Sequence, residues 1–218
     1  MDTRNDEKAH MPDFAEEFRR ERTYPERVLD IGCGPCPEGE QFLAHGIHLT
    51  GVDQDGETIR NVQRRLPKGG FVTADAAIWL EETARRYDAI LIRRPDLIFR
   101  SRNWHAVFQK IPSVLKPGGI VIVTTPGRSE AGMCAKWLRE LADQVHLSET
   151  GFSEEAFLVR AEDFKETDKK KNDRTRLIQD LSWEEDQPAM VCDLRTGQCT
   201  AITDKEETKN ENEYTEKE

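Results

Sequence analysis

The chain lacks two features that would place it at a membrane or on nucleic acid. No apolar run approaches the length of a membrane span, and residues 89–92 and 120–123 are strand-sized. Basic residues are in deficit, with 32 Lys and Arg against 42 Asp and Glu, a formal charge of −10 and a pI near 5.2. A net negative charge disfavours non-specific binding to nucleic acid or to an anionic bilayer. The composition therefore argues against both kinds of partner.

The chain also lacks the signals of a secreted or metal-stabilised domain. Residues 1–7 contain no hydrophobic core of a signal peptide. Five cysteines, an odd number without regular spacing, do not form the pattern of a disulfide scaffold. Cys33, Cys36, Cys192 and Cys199 would offer four thiolates, but the second pair is spaced too widely for a usual zinc knuckle. These absences predict a cytoplasmic protein without a metal site.

Strand-like and helix-like segments alternate through most of the chain. Continuous apolar runs predict strands at Arg27–Ile31 and at residues 48–52, 71–74, 89–92 and 120–125. Helical spacing predicts helices between and after them, at residues 39–45, 58–66, 78–86, 104–115 and 133–144. The strands lack apolar/polar alternation, as expected where helices cover both faces of a sheet. This order predicts an α/β fold with a doubly wound, mostly parallel sheet.

The strand order changes near residue 146. Two strand-like segments, residues 146–150 and 156–160, are separated by too few residues for a crossover helix. We therefore expect an antiparallel hairpin that closes a sheet of about seven strands.

Composition divides the chain into four expected parts. Residues 1–24 are expected to form an N-terminal helix with Phe14 and Phe18 on one face. This helix either covers an acceptor site as a lid or packs on the sheet in the ordinary way. Residues 25–163 form the ligand-binding domain. Residues 164–203 form a C-terminal extension of charged linker and small hairpin, and residues 204–218 an acidic tail predicted to be disordered.

A glycine turn follows the first predicted strand. Residues 28–39 read VLDIGCGPCPEG, in which Asp30 ends the strand and Gly32 and Gly34 form the turn. Glycines at such a turn allow positive φ and close approach of the backbone to a ligand. Residues 33–36 also spell a dithiol motif, but thioredoxin-like proteins have Trp before the first cysteine, where this chain has Gly32. The strand order and this glycine favour a ligand turn over a redox site.

The spacing of the turn bears on the identity of the ligand. A dinucleotide fingerprint requires a third glycine three residues after Gly34, where the chain has Pro37. The carboxylate of Asp30 would repel a pyrophosphate but attract a cation. Asp53 closes the second strand, where an acid suits the two hydroxyls of a ribose. The pattern favours a cationic nucleoside ligand, a sulfonium, over NAD.

Five segments, in this order and at this spacing, resemble class I S-adenosylmethionine-dependent methyltransferases. They are the acid and glycine turn of residues 28–39, then residues 51–55 (GVDQD), 74–76 (ADA), 87–92 (YDAILI) and 115–125 (LKPGGIVIVTT). The resemblance extends over residues 25–162. It implies a Rossmann-like fold, S-adenosylmethionine as cofactor, and methyl transfer to an unidentified acceptor, with small molecules first.

The resemblance also implies roles for residues at the strand ends. Asp30 and the glycine turn would line the methionine part of the cofactor, and Asp53 would take the ribose. Gln54 would lie against the adenine, and Asp75 would bind its N6 amine. The implied cofactor contacts are Asp30, Gly32, Cys33, Gly34, Asp53, Gln54, Asp75 and Ala76.

Acceptor contacts are expected in the loop after the fourth strand. Arg93 and Arg94 lie where the family places acceptor-facing groups, and the loop differs from the Asn-Pro-Pro-aromatic signature of amide and nucleobase amine methylation. The two arginines either clamp a carboxylate or phosphate of the acceptor or form ordinary surface ion pairs. His105 is either a base or a surface histidine. No catalytic residue is assigned, because transfer from an activated sulfonium depends mainly on alignment.

Two other functions remain open on the sequence. A non-catalytic module that binds S-adenosylmethionine would keep Asp30, Asp53 and Asp75 but lack an acceptor pocket. A nicotinamide-dependent oxidoreductase is the second, although the glycine spacing and Asp30 oppose it.

Overall fold

The computed structural model describes residues 11–165, 190–193 and 198–201, and the chain divides into two units, Met1–Arg176 and Leu177–Glu218. The strands of the first unit are β1 (Arg27–Ile31), β2 (His48–Asp53), β3 (Gly70–Thr73), β4 (Tyr87–Arg93), β5 (Leu115–Thr125), β6 (Ala142–Glu149) and β7 (Phe157–Phe164). Its helices are α1 (Phe14–Phe18), α2 (Gly39–Ala44), α3 (Gly56–Arg65), α4 (Ala76–Glu82), α5 (Ser101–Val114) and α6 (Arg128–Leu141). In the second unit, β8 (Met190–Asp193) pairs antiparallel with β9 (Gln198–Ala201). Most of the predicted charged linker and the whole acidic tail lie outside the described residues.

The first unit contains a seven-stranded sheet in the order β3-β2-β1-β4-β5-β7-β6. Strands β1 to β5 are parallel, and β7 runs antiparallel to both β5 and β6. The predicted doubly wound, mostly parallel sheet with an antiparallel closing hairpin is therefore confirmed. The chain order reverses between β1 and β4, and at such a point the carboxyl ends of the strands open a crevice for a ligand.

Both faces of the parallel strands are buried, which explains the continuous apolar runs. Alternate residues of β1, β4 and β5 enter two different clusters. One cluster packs against α4, α5 and α6, and its strand residues are Leu29, Ile31, Ile90, Ile92, Val121 and Val123. The other packs against α1, α2 and α3, and its strand residues are Val28, Ala89, Leu91, Ile120 and Ile122. No helix among the described residues combines the length and apolarity needed to cross a bilayer.

Helices α3 and α4 begin earlier than their apolar spacing predicts, because aspartates cap them. The Asp75 carboxylate accepts hydrogen bonds from the backbone N–H groups of Ala77 and Ile78, so α4 begins at Ala76 and not at residue 78. Asp55 caps α3 in the same way. Apolar periodicity marks only the buried face of a helix, so its capped first turn is missed.

The N-terminal helix is shorter than predicted and packs on the sheet. Helix α1 spans five residues and is capped by the Asp13 carboxylate. Phe14 and Phe18 are 0% and 1% exposed, and the Phe18 ring lies 6.2 Å from that of Phe42, measured between centroids. Movement of α1 as a lid would expose both rings, so the docked helix contributes to the core.

Glycine at position 51 is required by close packing of β2. An ideal Cβ on Gly51 would lie 2.6 Å from Phe71 Cδ1 and 2.9 Å from Cys33 Sγ. We expect Gly51→Ala to lower the free energy of unfolding by about 1–3 kcal/mol, the usual cost of overpacking. Urea unfolding followed by circular dichroism measures this change.

The matched control is Gly132→Ala in α6, where an added Cβ meets no other group within 4 Å. That variant should instead gain up to about 1 kcal/mol, since alanine favours a helix over glycine. Equal effects of the two substitutions would contradict the packing assigned to Gly51.

Candidate functional site

The glycine turn connects the ends of β1 and β2. Gly32 and Gly34 have φ angles of +70° and +50°, in the left-handed region that glycine adopts without strain. The Gly32 N–H donates to the Val52 carbonyl at 2.8 Å, and the Gly34 N–H donates to Asp53 Oδ2 at 3.0 Å. The structure thus brings together the turn and the acid that the sequence assigned to one ligand.

Asp53 is held in place but keeps capacity for further hydrogen bonds. Its Oδ1 accepts from the Asp55 N–H at 2.9 Å, and its side chain is half-buried at the end of β2. Each carboxylate oxygen has two lone pairs, so Asp53 can accept two more donors. Gln54, the next residue, is exposed beside it.

Asp75 lies at the end of the loop after β3. Its Oδ1 accepts from the Ala77 N–H at 2.9 Å and the Ile78 N–H at 3.2 Å. Among the described residues, none donates to its Oδ2, which is therefore free for a ligand. Ile78 is 58% exposed and Ala76 is half-buried next to Asp75, so an apolar surface accompanies this carboxylate.

Cys36 occupies a backbone conformation that normally favours glycine. Its φ is +46°, and it stands where methyltransferases of the resembling family often have a third glycine. The Cys36 thiol is 0% exposed and donates to Asp30 Oδ2 at 3.5 Å. Burial and the nearby carboxylate of Asp30 raise the pKa of both the Cys33 and the Cys36 thiol. A redox dithiol requires the opposite shift.

These thiols are expected to be unreactive in the folded protein. At about pH 8 both remain protonated and shielded, because only a thiolate attacks an alkylating reagent. We expect iodoacetamide to leave Cys33 and Cys36 unmodified under native conditions and to label both after denaturation, as read by peptide mass spectrometry. Rapid native labelling of either residue would contradict the burial described above.

A buried ionic cluster lies at the same edge of the sheet. Arg93, at the end of β4, has a side chain that is only 10% exposed. Its guanidinium pairs with Glu38, and its Nε donates to Glu155 Oε1 at 2.9 Å. Glu155 also accepts a hydrogen bond from the Thr124 hydroxyl. The cluster joins the residue before α2, the ends of β4 and β5, and the loop between β6 and β7.

Negative charge exceeds positive charge in this cluster. Asp30, Glu38 and Glu155 are all 1% exposed or less, and Arg93 is the cation buried among them. Among the described residues, none donates to Asp30 Oδ1 or Glu38 Oε1. Burial, followed by the carboxylate of Glu38, raises the pKa of Asp30 well above its ordinary value. A cation placed beside Asp30 would relieve this excess charge.

The raised pKa of Asp30 predicts how stability changes with pH. Above the ordinary pKa of an aspartate, the folded protein keeps a proton that the unfolded chain has lost, so stability falls as the pH rises through the native pKa. Asp30→Asn removes this ionisation. Its Tm should fall less than that of the wild type between about pH 5 and about pH 8.

The control for this measurement is Asp55→Asn. In the wild type, hydrogen bonds from Thr58 and from the first turn of α3 lower the pKa of Asp55. The Asp55 carboxylate therefore stabilises the fold at neutral pH, and this stabilisation is lost in acid. Thermal scans should therefore show the two variants diverging from the wild type in opposite directions at neutral pH. Parallel Tm profiles of Asp30→Asn and the wild type would contradict a buried, destabilised carboxylate.

The same cluster contains a group with metal-ligand chemistry. Donor atoms of Asp30, Cys36 and Glu38 lie within 4.8 Å of one another. Arg93 already pairs with Glu38, and the Cys36 thiol donates to Asp30. We therefore describe these residues as part of the ionic cluster and assign them no metal.

The predicted acceptor residues lie in two different surroundings. Arg93 belongs to the buried cluster, and Arg94 pairs with Glu154 while its Nε lies 3.5 Å from Glu155 Oε1. His105 packs edge-on against Trp137 of α6, with ring centroids 5.1 Å apart. An acceptor anion would have to displace Glu154 or Glu155 to reach either arginine, so the clamp remains a prediction.

Trp104 covers the glycine turn from the side of α5. An ideal Cβ on Gly32 would lie 3.0 Å from Trp104 Cη2 and 3.4 Å from Cζ2. The first turn of α5 is thereby fixed beside the predicted cofactor turn. Position in the sequence alone does not reveal this contact, because it joins residues far apart in the chain.

Residues 28–119 match the family model of a methyltransferase domain, over the same segments that form this edge of the sheet. Over these residues the chain is similar to methyltransferase domains. Curated relatives of this domain share its sequence at a moderate level. The trans-aconitate 2-methyltransferase of Rhodopseudomonas palustris (strain BisB18) is 28% identical over 144 residues, 56% of this chain and 51% of the relative. That of Acidovorax sp. (strain JS42) is 31% identical over 128 residues, 55% of this chain and 45% of the relative. The chain spans about half the length of these relatives.

Solved methyltransferase structures share the fold of this chain. The N-methyltransferase NodS from Bradyrhizobium japonicum WM9, in complex with S-adenosylhomocysteine, gives a TM-score of 0.56 at 17% identity, covering 64% of this chain and 78% of NodS. A SAM-dependent O-methyltransferase from Thermotoga maritima gives 0.53 at 16% identity, covering 65% and 60%. At this identity the likeness concerns the fold alone.

Part of the charged edge of the sheet was not predicted from the sequence. Glu38, Glu155 and Thr124 were not assigned any role, although all three are buried. Thr124 offered a weak signal, since it and Thr125 follow the apolar residues of β5. Glu155 lies in a loop whose sequence carries no comparable signal.

Proposed function

We propose that this protein transfers the methyl group of S-adenosylmethionine to a small-molecule acceptor. The observation that carries the proposal is the buried carboxyl group of Asp30 beside the glycine turn, whose Oδ1 receives no hydrogen bond from the described residues. A sulfonium with an ammonium group is a ligand that such a carboxylate attracts, whereas a pyrophosphate is repelled. Methyltransferase relatives in sequence support the same activity.

The proposed cofactor contacts follow the edge of the sheet. Asp30 and the turn of Gly32, Cys33 and Gly34 would hold the methionine part, and Asp53 would accept the ribose hydroxyls. The adenine would lie against Gln54 and Ala76, with its amino group donating to Asp75 Oδ2. The fixed Gly34–Asp53 hydrogen bond, at 3.0 Å, supports a preformed site for the ribose.

Methyl transfer depends more on the alignment of the two reactants than on proton transfer. When bound, S-adenosylmethionine supplies a methyl group that is already activated by the sulfonium. The residues of the turn and the ionic cluster would hold the cofactor and exclude water. An acceptor that is already an anion, such as a carboxylate, has no proton to lose and requires no general base.

A carboxylic acid is the acceptor class we propose. The sequence relatives are named for trans-aconitate, a small tricarboxylate. A carboxylate is also the acceptor group for which the structure need supply no base.

Methyl transfer is tested by following S-adenosylhomocysteine formation with a panel of small carboxylic acids that includes trans-aconitate. Acceptor-dependent release, abolished by Asp30→Asn, supports the proposal. A protein that binds S-adenosylhomocysteine but turns over none of the acids would instead be the non-catalytic binding module.

We also propose a cytoplasmic location. Cys33, Cys36 and Cys134 are free thiols in the described part of the chain, in keeping with a reducing compartment. Fractionation of the native host tests this, and recovery of the protein outside the cytoplasm would contradict it.

A further inference from the structure

An exposed apolar segment lies between β4 and α5. Among the described residues, Phe99 and Ile98 are the most exposed large apolar side chains, at 87% and 74%. Single exposed apolar residues are common, but two adjacent ones at the ligand edge of a sheet form a patch that invites contact.

The segment is an ordered turn that holds these side chains outward. Leu97 is 3% exposed and anchors the turn in the core. The Phe99 N–H donates to Asp96 Oδ1 at 3.0 Å, and the Arg100 N–H donates to the Asp96 carbonyl at 3.1 Å. The exposure of Ile98 and Phe99 therefore follows from a hydrogen-bonded backbone.

The contact of Trp104 with the glycine turn fixes where this segment lies. The Trp104 N–H donates to the Arg100 carbonyl at 3.0 Å, so the two residues are one helical turn apart. Trp104 lies over Gly32, so the start of α5 and the residue before it, Arg100, lie near the predicted cofactor turn.

The segment also carries unneutralised positive charge. Arg100 and Arg102 are exposed, and no carboxylate in residues 11–165 pairs with either guanidinium. Arg93 and Arg94, by contrast, are each paired with glutamates. Free guanidinium groups beside apolar side chains match a ligand that has both an anionic and an apolar part.

We infer that residues 98–102 form the acceptor-binding face of this methyltransferase, and that the acceptor is a carboxylic acid with an apolar body. The inference rests on the proposed function and names its substrate class. Arg100 binds a carboxylate of the acceptor, either one that is not methylated or the one that receives the methyl group. Ile98 and Phe99 contact the apolar body.

A small molecule fits this patch better than a protein partner does. Stable protein interfaces bury about 800 Å² on each side, whereas two side chains offer much less. The combination of charged and apolar groups beside the glycine turn is that of a ligand site, where a few polar groups fix orientation.

Binding of model acids to the S-adenosylhomocysteine-bound protein tests the inference by calorimetry. The probes are trans-cinnamate, octanoate, trans-aconitate and the neutral cinnamamide. We expect trans-cinnamate or octanoate to bind about tenfold more tightly than trans-aconitate, and cinnamamide about tenfold more weakly than cinnamate. Absence of binding by both amphipathic acids, or preference for trans-aconitate, would overturn the inference.

Substitutions in residues 98–102 test whether acid binding occurs at this segment. Arg100→Gln and Phe99→Ala should each weaken cinnamate binding about tenfold and leave the affinity for S-adenosylhomocysteine unchanged. The matched controls are Arg139→Gln on α6 and Leu147→Ala on β6, both at exposed positions and expected to have no effect. Equal binding by all four variants would overturn the assignment.

Failure of the proposed function and failure of this inference alone give different results. A wild-type protein that fails to bind S-adenosylhomocysteine would refute the proposed function, and this inference with it. Self-association in sedimentation that Phe99→Ala abolishes would identify the patch as an interface between two copies of the chain, and would overturn the inference alone.

Discussion

Replacement of Arg93 by methionine is expected to lower the free energy of unfolding by about 3–5 kcal/mol, because it leaves buried carboxylates without their cation. Glu38 and Glu155 are 0% and 1% exposed, and both pair with Arg93. Urea unfolding at neutral pH measures the loss. Arg94→Met is the matched control: its side chain is 42% exposed, so breaking its ion pair should cost about 1 kcal/mol or less.

A second set of variants tests the cause of this loss. Combining Arg93→Met with Glu38→Gln and Glu155→Gln should recover a large part of the stability, since removing both sides of a buried pair costs less than removing one. A loss in Arg93→Met no greater than in Arg94→Met would show that the cluster does not form in solution.

Replacement of Asp53 by alanine is expected to weaken S-adenosylhomocysteine binding by about 100-fold or more. Two hydrogen bonds from ribose hydroxyls to a charged carboxylate are lost, each contributing about 1.5–3 kcal/mol. The Gly34 N–H also loses its acceptor, so the turn is less fixed. Calorimetric titration measures the affinity, and thermal melting shows whether the variant is folded.

Two comparison variants sharpen this measurement. Asp53→Asn keeps one acceptor oxygen and should fall between the alanine variant and the wild type. Asp143→Ala, an exposed carboxylate on β6, should leave the affinity unchanged. If Asp53→Ala binds as tightly as the wild type, the ribose does not lie at the end of β2.

The fold was predictable from the sequence because its strands are buried on both faces. The strand Arg27–Ile31 has the predicted bounds, and the continuous apolar runs at residues 89–92 and 120–125 lie inside β4 and β5. Helix starts were less predictable. Asp55 and Asp75 cap α3 and α4 by side-chain hydrogen bonds that apolar spacing does not reveal.

The candidate site was predictable only where a residue directly ends a strand. Asp30 and Asp53 belong to β1 and β2, so adjacent parallel strands necessarily bring them to one edge. The partners of Arg93 are distant in sequence, 55 residues away for Glu38 and 62 for Glu155. Such pairs have no periodic signal, and an arginine after a strand suggests a substrate contact as readily as an internal one.

The dithiol motif illustrates how packing decides between two chemistries. Cys33 and Cys36 match a redox spacing, but the structure buries both beside Asp30. The left-handed backbone at Cys36, with φ of +46°, continues the glycine turn in place of a third glycine. The sequence contained both interpretations, and the burial of the thiols favours the turn.

The central claim is that the edge formed by Asp30, the glycine turn and Asp53 binds S-adenosylmethionine. Its most direct test is a pair of calorimetric titrations of the wild-type protein, one with S-adenosylhomocysteine and one with NAD. We expect saturable binding of S-adenosylhomocysteine and no binding of NAD, because the acidic groups at this edge disfavour a pyrophosphate. Binding of NAD without binding of S-adenosylhomocysteine would contradict it.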